Sequence, residues 1–335
     1  MTTTKPRQVR YEMLLDGIGP GRLDDRWSRP GLARASLDHP SAVTRRRSVV
    51  IRFTLVVDAI VRRIRESAAA AVLLAGVTAL SCGPGMAHAE EIKIGGTGGA
   101  LATMRILGEA YSAAHPGTEI TVLPSLGSSG GIKAMLSGVI QIAVTSRALT
   151  DTEINAGAVQ IAYARTPFVF ATASTNTTTG LSLQELVEIY AGRSVHWPDG
   201  TRIRLVMRPT GDSDSDMIKS MSPAMDLALS GAETRKGMAF AVTDQDAADN
   251  LERIPGALGP STLAQILSEK RALKALELDD VEPSPTTIAD GSYPYFKTLF
   301  MVTRSDISPA LRQFMAFVRS AAGVEILTRT GHRVQ

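Results

Sequence analysis

The stretch RPTGDSDSD, residues 208–216, holds two opposed chemistries. An arginine, a glycine and hydroxyls are what a loop needs to hold an oxyanion: the guanidinium presents a fork of donors, and glycine lets a ligand approach the backbone. Asp212, Asp214 and Asp216 repel that same ligand. Two unit charges about 4 Å apart interact by roughly 1 kcal/mol in water and about 4 kcal/mol at an effective dielectric of 20, so two facing carboxylates erase much of a micromolar affinity of about 8 kcal/mol. The conflict is relieved if the carboxylates face outward as caps, pair with Arg147 or Arg208, are protonated, or serve a different ligand. Alternate aspartates also open an EF-hand loop, but its glycine and glutamate positions hold Met217 and Pro223, which excludes that motif. The simplest reading is that Asp212 or Asp214 caps a helix beginning near Met217.

Other turns carry the same donor kit. GGTGGA (95–100) and LGSSGG (126–131) each precede a helical pattern, and Thr145-Ser146-Arg147 follows a strand. Free amides at a helix N-terminus favour oxyanions, and several such turns in one chain point to a shared anion site. A dinucleotide fingerprint is not completed, since Gly96, Gly98 and Leu101 occupy its three glycine positions. Beyond residue 89 the histidines are His115, His196 and His332, without metal-ligand spacing, and no CxxC or HxxxH occurs. The expectation is a binding protein without a cofactor or catalytic residues.

These turns need elements to hold them. Ile92-Lys93-Ile94 reads as a strand, and Leu101, Met104, Leu107, Ala110, Tyr111 and Ala114 then recur at helical spacing. The unit repeats in kind through strand 119–123, helix 132–138 and strand 140–144. Further strands are expected at 168–171, 204–207 and 298–302, with helices at 182–190, through a polar tract to about 250, at 261–275 and at the C-terminus. Alternating strands and helices predict an α/β architecture with largely parallel sheets.

The chain has 335 residues and a net charge of +3. Residues 1–89 hold 14 basic and 7 acidic residues, which leaves 22 and 26 in 90–335, a balance of −4. Basicity therefore belongs to the leader, and nucleic-acid binding by the remainder is not supported. Arg62, Arg63 and Arg65, the apolar run at 68–80 and Ala87-His88-Ala89 form a signal peptide over 62–89. The run is about 13 residues, short of the roughly 20 a spanning helix needs; a retained anchor is the alternative. Lipidation at Cys82 is a second, against which Ala79 stands where a lipoprotein signal has leucine. Residues 1–61 read as a disordered extension or a misassigned start.

The segments GTGGALATMRILGEAY, LGSSGGIKAMLSGVIQIAVTSRAL, LQELVEIYAGRSVHWPDGTRIRLVMRPTG, ADGSYPYFKTLFMVTR and FMAFVRSAAGVEI resemble, in order, the phosphate-type periplasmic substrate-binding proteins of ABC transporters, from about residue 91 to the C-terminus. The resemblance implies a type II two-lobed α/β fold with a central ligand cleft, lobe I from 90–171 and 293–335, lobe II from 172–292. It further implies a periplasmic monomer that closes on inorganic phosphate or a similar oxyanion and delivers it to ABC permease membrane subunits.

Carried onto this chain, the ligand shell implied by the resemblance is Thr97, Gly98, Gly99, Ala100, Ser128, Ser129, Gly130, Ser146, Arg147, Arg208, Gly211, Asp212, Ser213 and Asp214. Gly99 and Ala100 stand where the family has hydroxyls, and Asp212 and Asp214 replace its Ser and Thr. One carboxylate fits the family's device of accepting from a protonated phosphate oxygen; two do not. The alternatives are a diverged scaffold with another ligand or a sensory or protein partner, and a metal-assisted extracytoplasmic hydrolase using the aspartate cluster.

Overall fold

Strand, glycine turn and amphipathic helix follow one another at the start of the computed structural model, which describes residues 90–334. The signal peptide, Cys82 and the extension 1–61 lie outside the described residues. β1 (Glu90–Gly96) leads into α1 (Gly98–Ala114), where Leu101, Met104, Leu107 and Tyr111 are buried as their spacing predicts. β2 (Thr118–Val122), α2 (Gly127–Leu136), β3 (Ile142–Thr145) and α3 (Asp151–Asn155) come next, the last started by a Thr150/Glu153 capping box. β4 (Ala158–Ala173) is unusually long at 16 residues.

Next come β5 (Gly180–Leu181), α4 (Leu183–Tyr190), β6 (Arg204–Met207), α5 (Ser213–Ser220), α6 (Pro223–Glu233) and β7 (Ala239–Phe240). The chain continues through α7 (Asp244–Arg253), β8 (Ala257–Thr262), α8 (Leu263–Ser268), β9 (Leu273–Ala275), β10 (Glu277–Leu278) and α9 (Thr287–Asp290). β11 (Phe296–Arg304), α10 (Pro309–Val318), α11 (Ala321–Arg329) and β12 (Arg333–Val334) complete the described residues and return to β3, β4 and α1 at the start of the chain.

Three expectations need correction. The polar tract to residue 250 is broken into α5, α6, β7 and α7, because Ser222 with Pro223, and then Thr243, cap new helices. The pattern at 261–275 yields only the short α8; Lys270 adopts a positive φ of 53° and the chain leaves as β9. The helix after RPTG begins at Ser213, not near Met217, with Asp212 as its N-cap.

Pairing follows β2-β1-β3-β11-β4-β8-β6-β7. β1 is parallel to β2 and β3, and β6 is parallel to β7 and β8. The connecting strands are antiparallel: β11 pairs with β3 and with the first part of β4, up to Phe296 opposite Pro167, whereas Phe168–Ala171 of β4 pair with β8. Parallel sheet is thus confined to the interior of each lobe. Separate cores form on either side. Ile92, Ile94, Met104, Tyr163, Phe314 and Leu327 belong to one, and Phe168, Tyr190, Trp197, Met225, Leu258 and Tyr293 to the other. Full burial of such side chains stabilises by about 1.5–3 kcal/mol each.

Two glycines in the donor-rich turns have a packing role. A Cβ on Gly96, whose φ is 134°, would stand 2.0 Å from the Val144 carbonyl oxygen, and one on Gly131 would stand 2.7 Å from Gly96 Cα. Gly131 therefore lets α2 lie directly on β1, and Gly96 lets β1 close on β3.

Candidate functional site

The ends of β1, β3 and β6 all open toward one cleft, where helix N-termini follow them, the usual location of a ligand in α/β sheets. β1 delivers Thr97, Gly98 and Gly99 at the head of α1. β3 delivers Ser146 and Arg147, and α2 begins beside them with Ser128, Ser129 and Gly130. β6 delivers Arg208, and the head of α5 supplies Asp212, Ser213 and Asp214.

The centre is a charge cluster. Arg208 is 4% exposed. Its Nε and Nη2 donate to the two Asp212 carboxylate oxygens at 3.2 and 3.0 Å, and its Nη1 donates to the Ala241 carbonyl at 2.8 Å. Asp214 Oδ2 lies 3.3 Å from Nε, and Asp244 Oδ1 lies 3.2 Å from Nη2. Asp214 is also ion-paired with Lys297, itself buried in β11. Two cations thus face three carboxylates. Burial pushes Asp214 up, but Lys297 and Arg208 outweigh it and hold the carboxyl below its ordinary range. For Asp244, burial and then Asp214 push the carboxyl up, and Arg208 and Lys297 only partly offset them.

Asp244 also links the lobes. Its Oδ2 accepts from the Gly99 backbone N–H at 2.7 Å and from the Thr97 hydroxyl at 3.3 Å. Gln245 Nε2 donates to the Gly98 carbonyl at 3.1 Å, and a Cβ on Gly98 would meet Gln245 Oε1 at 2.4 Å, so the glycine admits the head of α7. Ser146 and Ser213 hydroxyls bond across the cleft at 3.1 Å, and Lys297 Nζ donates to Ser213 at 3.0 Å. These groups enclose a space of about 10 Å³ between Thr97, Gly99, Ser146, Asp214, Asp244 and Lys297, about the volume one water needs. Outside it a wider cleft of about 540 Å³ is bordered by Ser128, Ser129, Gly130, Arg147, Arg208 and Gly211.

The structure therefore brings Thr97, Gly99, Ser146, Arg208, Asp212, Ser213 and Asp214 together, with Ser128 bonded to the Ser146 backbone N–H at 3.1 Å. Arg147 stands at the mouth, its Nη1 and Nη2 donating to Glu153 at 2.9 and 2.7 Å and its Nη2 to Ser129 at 2.9 Å. That hydrogen bonding holds the Glu153 carboxyl down to about 2. Gly98 borders neither space, and Ala100 is buried in the lobe I core. Of the three acidic residues in RPTGDSDSD, Asp212 caps α5 by accepting from the Asp214 N–H at 2.9 Å, and Asp216 is exposed.

Asp244 and Lys297 are the residues that sequence reasoning missed. Lys297 had a signal: a lone lysine in the apolar strand YFKTLFMV has no reason to be there unless a buried anion pairs with it. Asp244 had none beyond its place after Thr243 at a helix start.

A family model described as the PBP superfamily domain matches residues 83–322. The protein belongs to the PBP superfamily. A phosphate-binding protein PstS of Borreliella burgdorferi is 25% identical over 259 residues, covering 72% of this chain and 90% of that relative. Among solved structures, a putative phosphate ABC transporter substrate-binding protein with bound phosphate from Clostridium perfringens superposes with a TM-score of 0.63 at 21% identity, over 73% of this chain and 100% of that one. An ABC-type phosphate transport receptor from Vibrio cholerae gives a TM-score of 0.53 at 21% identity, over 73% of this chain and 100% of that one. This PBP-superfamily chain therefore has the two-lobed α/β fold of periplasmic binding proteins, with the charge cluster in its interlobe cleft.

Proposed function

We propose that this protein is an exported, monomeric solute-binding protein that captures a small oxyanion, phosphate foremost, in the cleft and delivers it to the membrane permease of an ABC importer. One observation carries the reading. The Gly99 amide, the Thr97 hydroxyl and Arg208, donors from both lobes, converge on a single planar oxyanion, the Asp244 carboxylate. The site is thus already built around an oxyanion, supplied by the chain itself.

Capture is an exchange. As the lobes part, at Pro167–Phe168 of β4 and the start of β11, Asp244 leaves the head of α1 with lobe II. An entering oxyanion takes the Gly99 amide, the Thr97 hydroxyl and Arg208, with Ser146 and Ser213 closing over it, and Lys297 balances the added charge. Binding involves no covalent step. The names of the relatives favour phosphate among oxyanions: the Borreliella protein is called phosphate-binding, and the Clostridium structure holds phosphate. Among the described residues no helix is long and apolar enough to cross a membrane.

A second reading rests on the excess of carboxylates, which suits a scaffold diverged toward another solute. Isothermal calorimetry of the full chain against phosphate, sulfate, molybdate and calcium separates the two. Heat with phosphate that disappears in Arg208→Ala is the expected result. Silence toward every oxyanion, together with a calcium-dependent rise in melting temperature, would sink the oxyanion reading.

A further inference from the structure

Lobe II has a groove of about 410 Å³ at the opposite end of β6 from the cleft. β6 delivers Arg208 to the cleft at its C-terminal end, and the groove runs past Arg204 and Leu205 at its start and past Met238 and Ala239 at the start of β7. Its charged lining residues are Arg202, Arg204, Arg235 and Lys236, and no carboxylate borders it. This is unusual in a body whose residues 90–335 carry an acidic excess.

The four cations are positioned without being neutralised. Arg204 Nη1 donates to the Pro255 carbonyl at 2.8 Å and Arg235 Nη2 donates to the Tyr190 carbonyl, both main-chain acceptors. Arg202, Arg204 and Lys236 are exposed and Arg235 is half-buried. None of the four has a carboxylate partner among the described residues, whereas Arg147, Arg193, Arg208 and Arg271 all do. Between them the floor is apolar, formed by Ile189, Leu205, Met238 and Ile254.

β7 adds a second feature. It is the last strand of the sheet and pairs only with β6, so its outer edge is open. Phe240 at its end and Val242 just beyond are 44% and 72% exposed. A very short edge strand with a nearby lysine is one way to prevent unwanted association. That purpose requires neither four clustered cations nor two exposed apolar side chains, which work against it.

We propose that this groove and the edge of β7 form a docking site for an extended peptide segment of alternating acidic and apolar residues, contributed by a partner protein. A strand added to an open edge presents its side chains alternately to the two sides. Acidic positions meet the four cations and apolar positions meet the groove floor or Phe240 and Val242. A free inorganic polyanion leaves the apolar floor uncovered. A membrane surface calls for cations free to project, whereas Arg204 and Arg235 are each tied to a main-chain carbonyl at the groove.

The test is fluorescence anisotropy of a labelled peptide of alternating Glu and Val with the full chain. Binding is expected, weakening as salt rises and falling at least tenfold in Arg202→Glu/Lys236→Glu. Those two exposed side chains make no internal bond, so that variant keeps the parent melting temperature. A Lys-Val peptide is expected not to bind. No anisotropy change with the Glu-Val peptide, binding that survives the double substitution, or capture of phosphatidylglycerol vesicles without capture of the peptide would each overturn the proposal.

Discussion

Asp244 Oδ2 lies 2.7 Å from the Gly99 backbone nitrogen, so the first helix of lobe I is capped by a carboxylate from lobe II. The bond holds the lobes together and fills the position an oxyanion oxygen needs. Removing the carboxylate vacates that position and takes away a like charge. At a separation of about 4 Å the repulsion removed is roughly 1 kcal/mol in water and about 4 kcal/mol at a dielectric of 20. Asp244→Ala is therefore expected to bind phosphate at least fivefold more tightly in calorimetry, with a lower melting temperature without ligand. Weaker binding would instead make Asp244 a direct ligand, accepting from a protonated oxygen.

Arg208 is the hub of the cluster, facing Asp212, Asp214 and Asp244. Burial pushes its guanidinium down, but Asp214, Asp244 and Asp212 outweigh it and hold the charge. Breaking a buried pair by removing one partner costs about 3–5 kcal/mol because the other charge is left uncompensated. Arg208→Ala should lose that much stability in urea unfolding and also lose phosphate binding. Arg208→Lys should keep most of the stability and still bind poorly, since an ammonium cannot bridge two carboxylates and a ligand as a planar fork does. Full affinity in the lysine variant would remove the guanidinium from the site.

Much of this was legible from residue patterns. Leu101, Met104, Leu107 and Tyr111 mark α1 because one stripe of one helix is buried, and that is a local property. The donor turns were legible for the same reason: glycine, serine and threonine before a helix act on their own backbone. The charge balance was not. Asp212, Asp214 and Arg208 stand together in the chain, but what neutralises them comes from Lys297 and what competes for Arg208 comes from Asp244, both brought in by the fold. The glycines were half legible: Gly99 leaves its amide open to an anion, whereas Gly96 and Gly131 serve close backbone packing, against β3 and under α2, that only the third dimension reveals.

Gly131 tests the packing role directly. Its added Cβ would meet Gly96 Cα at 2.7 Å, backbone against backbone, so α2 has to move away from β1. Gly131→Ala is expected to destabilise by about 1–3 kcal/mol, as overpacking does, and to weaken phosphate binding because Ser128 and Ser129 ride on the same helix. Gly138→Ala is the comparison: its φ is 78° with no atom near the added Cβ, so its cost is backbone strain alone and the site is left in place. Equal losses of phosphate affinity in the two variants would count against the packing argument.

Lys297 and Asp214 form a buried pair that a double-mutant cycle can isolate. Lys297→Met leaves Asp214 with Arg208 alone and is expected to cost about 3–5 kcal/mol. Asp214→Asn leaves Lys297 with only the Ser213 hydroxyl in contact, but it sets two cations against two carboxylates where Lys297→Met sets one against three, and it should cost less. The double variant should be more stable than Lys297→Met by at least about 1 kcal/mol, measured as a shift in urea midpoint at constant slope. Additive costs would mean that the two side chains do not stabilise one another.

His332 gives the fold a pH dependence separate from the cleft. The ring is 1% exposed; Nδ1 lies 3.2 Å from the Leu327 carbonyl oxygen and 3.1 Å from the Thr330 hydroxyl, and Nε2 has no partner. Burial pushes the imidazole down from 6.5 to about 4, against the opposing pull of the Leu327 and Thr330 backbone. The folded protein therefore prefers the neutral ring. This contribution is fully present above about pH 6.5 and is lost as the pH falls toward 4, by roughly 3 kcal/mol in total. Urea midpoints between pH 7 and 4 should fall more steeply for the parent than for His332→Leu, whatever the leucine does to stability at pH 7. Parallel profiles for the two proteins would show that the ring is already charged in the fold, or that the fold opens locally to hydrate it.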